Sequence, residues 1–154
     1  MATYSWKNAK NGLWTTKTNW TPASGPPNNG GDSALIDATG APYTVTFSSA
    51  SDAVALIELG AASATLDVVS GVLGAGTLIA VTGSTVDVAA GAALTGYGAS
   101  TIAGAMDVNG GTVDISANRY MQATSATLLS AASGHARADT RSTSRDWNVS
   151  ITST

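Results

Sequence analysis

The chain has 154 residues, of which 44% are hydrophobic and only 11% charged, with no cysteine and a formal net charge of -3. Such a length encloses one modest core, and an apolar fraction of this size with 17 glycines describes a folded chain with many bends, not a disordered polyelectrolyte. The same balance excludes a disulfide framework and thiolate metal sites, and it argues against nucleic acid, which calls for a clustered basic face.

Residues 1–42 hold three of the four tryptophans, Trp6, Trp14 and Trp20. The stretch from Thr21 to Gly31 is turn chemistry throughout, so no regular element should cross it. Ala34-Leu35-Ile36 reads as a short strand after it. This first segment is expected to be an N-terminal Trp-rich cap, and it carries all three lysines, Lys7, Lys10 and Lys17.

Residues 43–118 form a repetitive body. Leu66-Asp67-Val68, Val86-Asp87-Val88 and Met106-Asp107-Val108 recur every 20 residues, and Gly71, Gly91 and Gly111 follow each at one offset. Tyr43-Thr44-Val45-Thr46-Phe47 alternates as a strand does and precedes this series by 21 positions, so it is expected to be the first rung. Ile57-Glu58-Leu59, Leu78-Ile79-Ala80-Val81 and Val113-Asp114-Ile115 are further short strands bounded by small residues. A self-similar period of this size is the signature of a solenoid. Asn109-Gly110 is a hairpin signal that would instead favour an antiparallel sandwich. A sandwich, however, has no reason to hold a constant spacing through three units. The preferred architecture is a short, all-β parallel β-helix. In it Leu66, Val86 and Met106 stack inside, Val68, Val88 and Val108 do likewise, and the three glycines turn the corners.

Residues 119–154 leave the pattern. Met121 to Ala132 reads either as a helix or as a last irregular coil, and the Arg- and Ser/Thr-rich remainder either caps the open end or is disordered. No basic segment followed by an apolar stretch opens the sequence, so no signal peptide is visible. The longest nearly apolar run, 71–81, is too short and too interrupted to span a bilayer.

Several of these fragments carry a resemblance. Trp6, Asn11-Gly12-Leu13-Trp14, Asn19-Trp20, Pro26-Pro27, Asp32-Ser33-Ala34-Leu35-Ile36 and Tyr43-Thr44-Val45-Thr46 are similar to the start of large bacterial repeat adhesins and autotransporter passenger domains. Leu73-Gly74-Ala75-Gly76-Thr77-Leu78 and Leu94-Thr95-Gly96-Tyr97-Gly98 resemble their Gly-Thr-rich rungs. The resemblance covers roughly residues 4–118. It implies a right-handed parallel β-helix, secreted or displayed at a bacterial cell surface, for adhesion or matrix building. Family members are commonly far longer, no membrane β-barrel translocator is present here, and residues 119–154 match nothing in the family.

The candidate sites each have two readings. Asp67, Asp87 and Asp107 should point outward on successive rungs about 4.8 Å apart, as a Ca²⁺ site or acidic groove, or as a solvated face that keeps the rod soluble. Asp107-Val108-Asn109-Gly110-Gly111 begins like a calcium loop but then lacks its Gly and Glu, so the solvated face is preferred. Trp6, Trp14 and Trp20 would form either a carbohydrate-binding platform or a plug over the exposed core end, and the plug is preferred. His135, with Asp139 near it, reads as an unspecialised exposed histidine, since no Gly-x-Ser-x-Gly elbow accompanies it.

The expectation is therefore a non-enzymatic extracellular structural or adhesive solenoid with no catalytic residues. Its expected partners are host or matrix glycans or proteins, with end-to-end self-association at the pairable ends. The rival is a carbohydrate-active or carbohydrate-binding β-helix, against whose lyase form the lack of Lys and Arg in residues 51–118 counts.

Overall fold

In a computed structural model, residues 1–117, 121–123 and 147–152 are described. Period-two alternation of apolar and small polar residues makes short strands of most of the chain, and Gly, Ser and Asn end them. The N-terminal elements are β1 (Thr3–Trp6), β2 (Gly12–Leu13), a 3-10 turn (Lys17–Asn19), β3 (Trp20–Thr21) and β4 (Ser33–Leu35). Next come β5 (Tyr43–Phe47), β6 (Ser51–Leu59), β7 (Ala64–Val68), β8 (Val72–Ala80) and β9 (Thr85–Ala89). The series continues with β10 (Ala93–Gly96), β11 (Ser100–Ile102), β12 (Ala105–Asn109), β13 (Thr112–Ala117), β14 (Met121–Ala123) and β15 (Trp147–Thr152).

From β4 to β10 successive strands alternate between two sheets, so the chain coils. One sheet runs β12-β9-β7-β5-β2 and is parallel throughout. The other runs β15-β13-β10-β8-β6-β4-β1-β3, with β11 beside β8 and β14 beside β11. It is parallel except at its two ends, where β3 pairs β1 and β15 pairs β13 antiparallel. The result is a β-solenoid of about 4 turns. The antiparallel sandwich is excluded.

Register follows the sequence period. Val45 pairs Leu66, Leu66 pairs Val86 and Val86 pairs Met106, while Phe47, Val68, Val88 and Val108 form the next inward column. All eight side chains are buried. Each one taken out of water is worth about 1.5–3 kcal/mol relative to an exposed position. Tyr43–Phe47 is thus the first full rung of this sheet. The Trp-rich opening residues are continuous with the body, since Tyr4 pairs Ala34 and Ala34 pairs Ile57.

The rival turn signal fails, and one expectation about the corner glycines needs correction. Asn109-Gly110 does not close a hairpin, because β12 and β13 lie in different sheets and pair β9 and β10 instead. It is a corner of the coil. The left-handed residue of that corner is Gly110 (φ 78°), matching Gly71 (φ 74°) and Gly91 (φ 78°), and not Gly111. Gly111 is small for another reason: a Cβ there would lie 2.6 Å from Val88 Cγ1 and 2.7 Å from the Ala89 carbonyl oxygen.

The opposite sheet bends. In β6 the inward positions run Val54 then Ile57, and in β8 Ala75 then Leu78, so the alternation slips by one residue at Ala55 and Gly76. Beyond that bend β10 follows the first half of β8 and β11 the second. The join is made by Ser100, 1% exposed, whose hydroxyl accepts the Leu78 N–H at 3.1 Å and donates to the Gly98 carbonyl at 3.2 Å. Within the tail, β15 closes the edge of β13, whereas the helix-or-coil question for most of Met121–Ala132, and His135 and Asp139, lie outside the described residues.

Candidate functional site

The outer face of the all-parallel sheet follows from the alternation that builds its core. With Leu66, Val86 and Met106 inside, the next residue of each strand must face out. Asp67 pairs Asp87, and Asp87 pairs Asp107, in direct register. Thr46 precedes Asp67 in this column, and Leu13 precedes Thr46. A second outward column runs Thr44, Thr65, Thr85 and Ala105 beside it. All three aspartates are half-buried, because stacked neighbours cover each other's flanks.

This stacking has an electrostatic consequence. Burial pushes the Asp67 carboxyl above its ordinary value of 3.8. Burial does the same to Asp87, and the charges of Asp107 and then Asp67 on either side push it further in the same direction. Oδ1 of Asp107 is enclosed without a hydrogen-bond partner. Asp67 and Asp87 therefore hold their negative charges with difficulty. The ladder's carboxylates lie one per rung along a flat face, and among the described residues no group of three or more His, Asp or Glu side chains is placed to hold a metal ion. Calcium prefers six to eight converging oxygens, which a linear column does not supply.

The tryptophans sit elsewhere, at the N-terminal end of the core. Trp6 is 3% exposed, and Trp14 and Trp20 are fully buried. Trp6 and Trp14 each meet Trp20 edge to face with centroids 5.0 Å apart, and Trp14 meets Phe47 in the same manner at 6.0 Å. Each indole N–H is satisfied internally: Trp6 donates to the Lys10 carbonyl at 3.1 Å, Trp14 to Pro27 at 3.0 Å and Trp20 to Trp14 at 2.7 Å. Rings so enclosed present no open face on which a sugar can stack. They are a plug of the core end, and Trp14 follows directly on Leu13, the N-terminal member of the aspartate column, with its N–H donating to the Thr46 carbonyl at 2.8 Å.

Two positions escaped sequence reasoning. Ser100 is one; its signal was a hydroxyl in a column otherwise filled by Ile57 and Leu78. Asp32 is the other, 7% exposed, with its Oδ1 accepting the Ala2 N–H at 3.0 Å and so fixing the first strand. Its signal is faint, since a lone aspartate after glycines reads as part of the turn.

Fold and surface together define a β-solenoid with an acidic outer column and a tryptophan-plugged end. No protein-family profile, curated protein or solved structure matches the chain. Among the described residues, no helix is long and apolar enough to cross a membrane.

Proposed function

We propose that the chain is a non-enzymatic structural or adhesive β-solenoid that works at a cell surface or in an extracellular matrix. The observation that supports this most is the in-register stacking of Thr44, Thr65 and Thr85 beside Asp67, Asp87 and Asp107. Side chains repeated at rung spacing make a flat, extended surface, and stacked-repeat proteins use such surfaces for binding along their length. The resemblance of residues 4–118 to bacterial repeat adhesins and autotransporter passengers points the same way. On this reading the partners are glycans or proteins of a host or matrix. The antiparallel strands at both ends of the bent sheet limit further parallel stacking there.

The test is antibody labelling of intact source cells, run beside a panel of polysaccharide-cleavage assays on the purified chain. Labelling of intact cells with no cleavage supports the proposal. Confinement to the cytosolic fraction, or cleavage of any polysaccharide, overturns it.

A further inference from the structure

A cavity of about 130 Å³ opens beside Trp6, at the N-terminal end of the coil, and is lined by Lys7, Asn8, Lys10, Asn11 and Asn19. Its frame is held by hydrogen bonds on every side. The Lys7 N–H donates to the Asn19 carbonyl at 2.8 Å, and the Lys10 N–H donates to the Asn8 carbonyl at 2.8 Å, closing a tight turn. Trp6 Nε1 donates to the Lys10 carbonyl. Asn19 Nδ2 donates to the Leu13 carbonyl at 3.1 Å. Gly12 lets these parts meet, since a Cβ there would lie 2.6 Å from Asn19 Nδ2 and 3.0 Å from Trp6 Cζ2.

The charge of the lining is one-sided. Asn11 spends its Oδ1 on the Thr44 N–H at 2.8 Å, so the rest of its side-chain amide is a donor. Lys7 and Lys10 are exposed, no carboxylate lines the cavity, and neither ammonium is ion-paired among the described residues. Two cations beside the Asn11 side-chain amide around a small concavity suit an oxyanion, to which charge-assisted hydrogen bonds are the strong ones. The volume is below the roughly 300 Å³ at which drug-sized ligand pockets begin, so a small acidic group suits it better than a large ligand.

We propose that this pocket binds a single carboxylate or sulfate group carried on an acidic polysaccharide. The sugar backbone stays outside, and the acid-only stretch of residues 51–118 repels the rest of the polyanion, which confines binding to the N-terminal end of the rod. A second copy of the chain is the poorer occupant, because its ladder aspartates are short, half-buried and set in a flat face, and so do not reach into a concavity. That the polysaccharide is met outside the cell rests on the adhesive reading above; the pocket's own affinity does not.

The experiment is calorimetric titration of the full chain with three oligosaccharides of equal length: a uronate oligomer, a sulfated oligomer and a neutral one. The unsubstituted chain is compared with Lys7→Gln/Lys10→Gln and with Lys17→Gln, a lysine outside the pocket, each first checked for an unchanged melting temperature. At least one acidic oligomer is expected to bind and the neutral one not, and which acid binds tells carboxylate from sulfate. The double variant should weaken binding at least about tenfold, with Lys17→Gln close to the unsubstituted chain. Absence of binding by both acidic oligomers overturns the pocket, as does equal weakening by both variants, which would mark diffuse charge attraction. Loss of a dimer in the double variant by analytical ultracentrifugation, without glycan binding, overturns it in favour of a second copy. If the oligosaccharides fail while intact cells are still labelled, the pocket falls and the adhesive reading stands.

Discussion

Trp20 donates its indole N–H to the carbonyl of Trp14 at 2.7 Å while the two rings meet edge to face, 5.0 Å apart. The plug is therefore both an apolar contact and a hydrogen-bonded one. Trp20→Ala should cost about 3–5 kcal/mol of unfolding free energy, the usual range for truncating a large core side chain. Trp20→Phe keeps most of the ring but loses the donor, and should cost about 1–3 kcal/mol. Urea unfolding at fixed pH ranks the two; equal and negligible losses would mean that the rings are not core.

The aspartate column makes a pH prediction whose sign is fixed. Asp67 and Asp87 have folded-state pKa values above their ordinary value of 3.8, chiefly through burial. In the range between 3.8 and those raised values the native state binds more protons than the unfolded chain, so stability falls as pH rises through it. The penalty from these two groups is full above the raised values and is relieved on acidification towards 3.8. Thermal melts across that range should show the chain gaining from acidification, and Asp87→Asn should flatten the dependence.

At neutral pH, Asp87→Asn removes the middle charge of three and relieves two like-charge contacts. It should stabilise by about 0.2–1 kcal/mol, the scale of cross-strand pairs, with less gain from Asp67→Asn, which has one such neighbour. Added salt should shrink both gains by screening. Destabilisation by Asp87→Asn in low salt would show that the column is held together by something other than backbone pairing.

Gly71 and Gly91 share a left-handed backbone but not their surroundings. At Gly91 a Cβ would have no neighbour within 4 Å, so Gly91→Ala should cost only the left-handed penalty of about 1–2 kcal/mol. At Gly71 a Cβ would run into the Ser49 carbonyl oxygen and lie 2.5 Å from that of Ala50, so Gly71→Ala must also displace the corner beneath it. Its unfolding midpoint should be clearly the lower of the two.

Ser100 is a third kind of test. Ser100→Ala leaves the Leu78 N–H without its hydroxyl acceptor in a buried setting, which should cost about 1–3 kcal/mol. Amide hydrogen exchange at Leu78 should quicken more than at Leu66.

Much of the coil was legible because alternation is local. Once Leu66, Val86 and Met106 are taken as inward, Asp67, Asp87 and Asp107 must face out, and the constant spacing sets their register. The bent sheet was less legible. Its rungs pair at unequal intervals, Ala34 with Ile57 but Leu94 with Val113, and its alternation slips within β6 and β8 at Ala55 and Gly76. The left-handed corner fell on Gly110 and not Gly111 because adjacent glycines look alike until a neighbour, here Val88, decides which must be flat and which must turn. The basic pocket was illegible, since it depends on Asn19 folding back over Gly12 through a turn with no periodic signal.

The parallel stacking is tested most directly by the inter-strand proton NOE map of the isotopically labelled chain. The stacked coil predicts backbone contacts linking residues 66–68 to 86–88 and 86–88 to 106–108 in one parallel register. Strong Hα–Hα contacts pairing Val108 with Val113 across Asn109-Gly110, in place of that series, would contradict it.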